Sequence, residues 1–150
     1  MNPPSRLFIK TSLVSLFLTG LLGIVLHLGP WANGNLAYAL LPAHVHLGTV
    51  GWLGNLVLGV AYWFFPRPKG RYSERLALPS YLLLNTGLLL RLGVEPFQRQ
   101  SPFPAGPWLL LLSGTLQMLA LLVFALSVWP RLVSMQALER ARLEARQKGE

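Results

Sequence analysis

All three histidines of the chain lie in one short stretch of the sequence, at His27, His44 and His46. His44 and His46 open the apolar segment AHVHLGTVGWLGNLVLGVAYWFFPR, and His27 ends the apolar segment before it. If both segments cross a bilayer, the three imidazoles meet near one membrane face. Histidine is uncommon inside membrane helices and usually has a function there, and imidazole ligates haem iron, copper and zinc. The cluster therefore predicts a haem or metal site.

The composition predicts that membrane helices position these histidines. Of the 150 residues, 53% are hydrophobic and only 12% are charged, against about 25% charged in a soluble domain. Four apolar stretches, near 8–29, 43–65, 76–94 and 107–130, approach or exceed the ~20 residues that cross a hydrocarbon core. We predict an all-α, polytopic membrane four-helix bundle over 1–130, followed by an amphipathic cytoplasmic helix over 131–150. The chain has no cysteine, which excludes thiolate ligands and covalent haem attachment.

The distribution of Lys and Arg predicts the orientation. Positive charges lie before the first apolar stretch, in the 66–75 connection and in the C-terminal tail, whereas the 30–42 connection has no charge. Both termini are therefore expected to be cytoplasmic, in a bacterial or archaeal-type cytoplasmic (inner) membrane. The net charge of +8 fits this topology and attraction to the anionic lipid bilayer. It does not indicate nucleic-acid binding, because no soluble module is present to hold a nucleic acid.

Glycines share a helix face with two of the histidines. At 100° per residue, one sector of about 80° on helix 2 holds a histidine, an asparagine and several small residues: His44, Gly48, Gly51, Asn55, Gly59 and Tyr62. His46 lies about 200° away. On helix 1, Leu16, Gly20, Gly23 and His27 are expected to share a face. A haem macrocycle or another helix can approach closely where no Cβ intrudes, so packing between helices is the alternative interpretation of these glycines.

The geometry restricts how haem b would bind. Neighbouring helices lie about 8–10 Å apart, which is tight for a haem held by two histidines between helices 1 and 2. We therefore expect His44 as an axial ligand, with His46 and His27 as further candidates and a sixth ligand from a second copy or a partner chain. Arg91 or Arg99 could pair with the haem propionates. Alternatively, all three histidines gather copper or zinc, which needs an extended backbone at residues 44–46.

The remaining polar residues of the apolar stretches have a structural interpretation. Asn55, Asn85 and Gln117 are expected to form hydrogen bonds between helices. The chain has no aspartate, and its glutamates are predicted to lie outside the spans or at their ends. Because a proton pump or ion-coupled carrier usually needs carboxylates inside the membrane, the sequence argues against independent transport.

The second apolar stretch carries motifs of a known family. Trp52, the run Gly59-Val60-Ala61-Tyr62 and Pro66 follow the histidines, and a Gly-Arg-x-Ser loop leads to Asn85-Thr86-Gly87 and Arg91. Roughly over residues 40–92, this pattern resembles the catalytic subunit of haem–copper oxidases and, more closely, of nitric oxide reductases. Aligning the motifs puts the family's low-spin haem ligand at Val45, between the two histidines.

The resemblance implies haem and a respiratory partner, but not catalysis by this chain alone. The family's second low-spin ligand and binuclear centre lie on later helices than the four present here. The expected function is a small b-haem-binding accessory, electron-transfer or gas-sensing protein linked to a larger oxidase or nitric oxide reductase. The alternatives are a cofactor-free accessory or assembly subunit and a copper or zinc protein. A homodimer is a further expectation.

Overall fold

The computed structural model describes residues 3–32, 34–65 and 76–147, and every regular element within these ranges is helical. The elements are α1 (Pro3–Ala32), α2 (Gly34–His46), a π-helical segment (Leu47–Gly54), α3 (Asn55–Phe64), α4 (Ala77–Gln100) and α5 (Gly106–Gln147). The elements α2, π and α3 follow one another without a break, and we call them together the second span. The prediction of an all-α fold with four long helices is confirmed.

These helices are suited to a membrane. Four segments are long and apolar enough to cross a bilayer: Pro3–Leu28, Asn35–Phe64, Ala77–Gln100 and Gly106–Pro130. Large apolar side chains such as Phe17, Leu89 and Met118 are exposed on their outer surfaces, as expected where the solvent is lipid. A membrane location follows. The orientation stays a prediction, and the charged 66–75 connection on which it partly rests lies outside the described residues.

Three predicted helix boundaries are wrong. The second helix begins at Gly34 and not near 43, so most of the predicted 30–42 loop is helical. The third helix continues past Gly93 and Pro96 to Gln100, and the last runs through Pro130 to Gln147. An isolated glycine costs a helix only about 1 kcal/mol, and neighbouring helices make proline tolerable in membrane helices. The cytoplasmic, amphipathic character of 131–150 stays a prediction.

Helix α1 packs on the second span mainly through serines, and Gly23 is the one glycine of its predicted face that takes part. Ser5, Phe8, Ser12 and Ser15 are buried at helical spacing, and small side chains permit close helix packing in membranes. A methyl group at Gly20 would touch nothing within 4 Å, and Leu16 and His27 are exposed. The predicted packing face of Leu16, Gly20, Gly23 and His27 is therefore wrong except at Gly23.

The glycine face of the second span packs against α1, as the alternative interpretation held. Hypothetical Cβ atoms at Gly48 and Gly51 lie 3.3 Å from Thr19 Cγ2 and 3.0 Å from Ser15 Oγ. At Gly59 the distance to the Phe8 Cβ is 2.8 Å, shorter than two carbon atoms tolerate. The missing side chains thus set how closely the two helices approach.

We expect Gly59→Ala to destabilise the bundle by about 1–3 kcal/mol, because the methyl group forces α1 away. Gly20→Ala is the matched control. It has open space and should gain up to about 1 kcal/mol from helix propensity. Thermal unfolding of both variants in detergent checks the pair, and equal melting temperatures would contradict the assigned contact.

Aromatic rings join the helices at the end of the bundle that contains the first residues of α1 and α4. Phe8 stacks on Tyr62, with ring centroids 5.7 Å apart, and meets the edge of Tyr81 at 5.1 Å. Tyr62 also meets Phe124 of α5 edge-on, at 5.3 Å. These contacts join all four spans, and such pairs add about 0.5–1.5 kcal/mol beyond the burial of their area.

An asparagine pair joins the second span to α4 midway along the bundle. Each amide nitrogen donates to the other side chain's oxygen: Asn55 Nδ2 to Asn85 Oδ1 at 3.1 Å, and Asn85 Nδ2 to Asn55 Oδ1 at 3.0 Å. The second N–H of the Asn55 amide is shared between the carbonyls of Val50 and Gly51, in the middle of the π-helical segment. The prediction of interhelical hydrogen bonds is confirmed for this pair. It is wrong for Gln117, which donates to Ser113 on its own helix.

The two asparagines should be energetically coupled. In a double-mutant cycle with Asn55→Leu and Asn85→Leu, we expect a coupling of about 0.6 kcal/mol, and at most about 1.7, as for other interhelical hydrogen bonds in membranes. The measurement is the free energy of unfolding in mixed micelles. Replacing Asn85→Leu by Thr86→Leu gives a control cycle, because Thr86 is exposed. A control coupling as large as that of the pair would refute the assignment.

Candidate functional site

A polar cluster lies inside the spans, toward the end of the bundle where α4 turns into α5. It consists of His46, the last residue of α2, Arg91 and Glu95 of α4, and Ser113 of α5. Three different helices therefore supply its side chains. Ionisable residues at membrane depth are costly and usually functional, so this cluster and the neighbouring His44 are the candidate site.

Arg91 is held by α5 and by His46. Its Nε donates to Ser113 Oγ at 3.3 Å, its Nη1 to His46 Nε2 at 3.1 Å and its Nη2 to the Leu110 carbonyl at 3.5 Å. Ser113 in turn donates to the Gly87 carbonyl at 2.8 Å. A Cβ at Gly87 would lie 2.8 Å from the Ser113 carbonyl oxygen. The glycine therefore lets α5 come close enough to hold the arginine.

The contacts of His46 match one tautomer of its ring. A guanidinium has no acceptor, so Arg91 must donate and His46 Nε2 must accept. The proton of a neutral ring then resides on Nδ1, which lies 2.9 Å from the Pro42 carbonyl oxygen and donates to it. A doubly protonated ring would bring two donors together at Nε2. This arrangement is that of a ring protonated at Nδ1, with both ring nitrogens in hydrogen bonds.

Glu95 is a buried carboxyl group that the sequence had placed beyond the third span. It is 9% exposed, because α4 continues past Gly93 and carries it back against the second span. Its Oε2 lies 3.4 Å from His46 Nδ1 and makes no hydrogen bond among the described residues. His46 thus stands between a cation and a carboxyl group that are one helical turn apart on α4.

We expect ¹⁵N spectra of labelled histidine to show His46 as the neutral tautomer protonated at Nδ1. Arg91→Met should mix the tautomers and lower stability by about 1–3 kcal/mol, the cost of an unsatisfied buried nitrogen. Arg99→Met is the matched control, since Arg99 lies on the same helix and stacks over exposed Tyr38 at 5.0 Å. A doubly protonated His46 in the unmodified chain would contradict the assignment.

His44 faces a different neighbour from His46, which agrees with their predicted separation around the helix. Its ring packs on α1, where Cε1 lies 3.3 Å from the position that a Cβ on Gly23 would take. The Nδ1 atom is buried and has no hydrogen-bond partner in the described part of the chain. Gly23 therefore gives this ring its space, and the Nδ1 of His44 is a buried imidazole nitrogen that the described part of the bundle leaves without a hydrogen bond.

The other predicted site residues are dispersed. His27 is exposed on α1, and Gly48 and Gly51 contact α1 side chains. Arg91 is engaged with His46 and α5, away from the α1 side on which His44 packs. Within the described residues, no group of three His, Asp or Glu side chains is placed to hold a metal ion. The backbone at His46 is helical, with φ −66° and ψ −37°, so the extended His-x-His geometry is not present.

His44 fits the chemistry of a haem ligand, but the bundle does not enclose a macrocycle. A polar ring with a buried, unpartnered nitrogen is the kind of group that calls for an additional partner, and imidazole is a common axial ligand of haem iron. The groove between α1 and the second span is filled by Thr19, Ser15 and the His44 ring itself. A haem at His44 therefore needs a second protein surface, supplied by another chain, to enclose it.

Sequence reasoning missed Glu95 and Ser113 as members of the cluster. Glu95 follows Arg91 by four residues, the spacing that puts two side chains on one helix face. This spacing is visible in the sequence, but the predicted helix ended near 94 and therefore did not include Glu95. Ser113 had no comparable signal, because its role depends on the close approach of α5 at Gly87.

The fold and the cluster define an all-α membrane bundle of four spans with a charged network inside it. Comparison of the chain with protein-family models, curated proteins and solved structures finds no match. The resemblance to haem–copper oxidases and nitric oxide reductases therefore stays a prediction from the motifs of the sequence.

Proposed function

We propose that this chain is a small membrane subunit whose His44 is an axial ligand of a b-type haem, and that it serves a larger oxidase or nitric oxide reductase. The observation that carries the proposal is the unused His44 imidazole with its buried, unpartnered Nδ1. The motif of the second span also favours a haem ligand in this region, although its alignment puts the family's ligand at Val45, next to His44. Haem iron bound there would supply one-electron transfer or binding of a diatomic gas.

The contacts of the other histidines favour His44 over them. His46 accepts from Arg91 and donates to the Pro42 carbonyl, so ligation would cost the cluster its hydrogen bonds. His27 is exposed on the outer surface of α1, without the buried setting that fixes a ligand's orientation. Of the two arginines named for a propionate, Arg99 is the exposed one and lies over Tyr38 near the end of α4.

The proposal requires a second protein surface. Because the glycine groove is filled, the macrocycle must lie between His44 and a partner, and the sixth ligand comes from that partner. A second copy of this chain or a larger respiratory subunit meets the requirement. By itself the chain is then a carrier or sensor of haem and not a reductase.

A cofactor-free accessory or assembly subunit is the second candidate. The specific observation in its favour is that Gly48, Gly51 and Gly59 all meet side chains of α1, so no described glycine groove requires a cofactor. On this alternative the exposed apolar surface of the spans packs directly on a larger membrane protein.

The test is the reduced-minus-oxidised visible spectrum of the chain, purified in mild detergent after expression with added haem precursor. We expect a b-type α band that is lost in His44→Ala, because the iron loses its ligand. His27→Ala is the matched control and should keep the band, since its ring is exposed on α1. His44→Gln keeps a polar side chain and distinguishes ligation from loss of packing.

Two outcomes would overturn the haem proposal. The first is a flat spectrum with no pyridine haemochrome from protein expressed with adequate haem. The second is a band that survives in His44→Ala. A flat spectrum together with a co-purifying larger membrane subunit would favour the cofactor-free alternative.

A further inference from the structure

An open groove on the outer surface of α4 and α5 has a single charged residue in its lining. It has a volume of about 540 Å³ and is lined by Arg91, Leu110, Leu111, Gly114, Thr115 and Met118, among others. A groove of this size on a membrane bundle faces lipid. Its walls are apolar apart from the guanidinium and the Thr115 hydroxyl, and that hydroxyl already donates to the Leu111 carbonyl.

The guanidinium retains donors that can serve a ligand. Of its five N–H groups, three have acceptors in His46, Ser113 and the Leu110 carbonyl, the last at a long 3.5 Å. The Nη2 atom lies 3.7 Å from the position of a Cβ on Gly114, so this edge of Arg91 borders the groove. The ion-pair contact of the cluster joins Glu95 to His46 and not to Arg91. The positive charge is therefore without a carboxylate partner among the described residues.

The groove is charged at one end and apolar along the rest, as a phospholipid is. Trp108, 73% exposed, lies two residues before Leu110 and has the position of an interfacial aromatic residue. The guanidinium reaches α5 at Leu110 and Ser113, just below that level. From Leu110 to Leu119 the groove continues for about 13 Å along the helix, with leucine and methionine side chains as its floor. A negative headgroup at one end and an acyl chain along the rest match this arrangement.

We propose that the groove binds an anionic phospholipid, with its phosphate at Arg91 and one acyl chain along α5. The site is separate from His44 and does not depend on haem. The phosphate gives Arg91 the direct anionic partner that Glu95, which lies against His46, does not give it, and it therefore fixes the guanidinium against His46 and Ser113.

The test measures retained lipid by native mass spectrometry of the full chain, purified and titrated with phosphatidylglycerol or phosphatidylcholine. We expect phosphatidylglycerol to bind about fivefold more tightly, as expected for one basic residue at a membrane surface. Gly114→Leu fills the groove in front of Arg91 without removing the charge, and it should abolish this preference for one tightly held lipid. Gly93→Leu is the matched control, because a Cβ there meets nothing within 4 Å.

The design separates the groove from general attraction to the basic chain. Attraction by the other lysines and arginines is the same in all three proteins, so a preference unchanged in Gly114→Leu overturns the proposal. If Gly114→Leu fails to fold, Met118→Trp blocks the acyl-chain end of the groove at a residue that is 69% exposed. That variant should also lose the retained lipid, and equal retention would again overturn the proposal.

Discussion

The cost of keeping a guanidinium among apolar helices constrains the rest of this structure. Arg91 lies inside a span, where each polar group without a partner costs several kcal/mol. The bundle meets the constraint with a serine hydroxyl, a histidine nitrogen and a backbone carbonyl from two neighbouring helices. Each of those partners must itself be positioned. The hydrogen bonds of Arg91 therefore depend on two further residues. Gly87 lacks a side chain and lets α5 approach, and the carbonyl of Pro42 holds the His46 ring.

The helices are joined by different interactions at successive positions along the bundle. Aromatic rings around Phe8 and Tyr62 join the helices by shape. The asparagine pair then fixes the register of the second span against α4, since two reciprocal hydrogen bonds allow only one alignment. The charged cluster follows toward the α4–α5 turn. Between the asparagines and the cluster lies the π-helical segment, and π-helical turns are frequently found at functional sites. Here that segment begins directly after His46, and the Asn55 amide donates to the carbonyls of Val50 and Gly51 in its middle.

The sequence was sufficient for the helices and for one helix face, because both depend on local patterns. Apolar runs of membrane length define the four spans, and the 100° periodicity correctly puts Gly51, Asn55 and Gly59 on the packed side of the second span. Helix ends were less predictable, since Pro96 and Pro130 stop a helix in water but not in a bundle. The prediction for α1 was based on Gly20 and Gly23, whereas the packed face consists mainly of serines. Whether a small residue packs on a neighbour or faces lipid depends on tertiary contacts that the sequence of one helix does not contain.

The two histidines of the His-x-His motif have different physical situations, and this difference gives each its own chemistry. His46 turns toward α4, where its Nε2 lies 3.1 Å from Arg91 Nη1 and accepts a hydrogen bond from it. The histidine therefore lowers the cost of burying Arg91 inside the membrane by accepting one of its hydrogen bonds. His44 turns toward α1, where Gly23 gives the ring space but no hydrogen bond. A change at His44 consequently leaves the network around Arg91 intact, and a change at Gly114 leaves His44 intact. The proposed haem ligand His44 faces α1, whereas the proposed lipid groove lies on the outer surface of α4 and α5, so either can exist without the other.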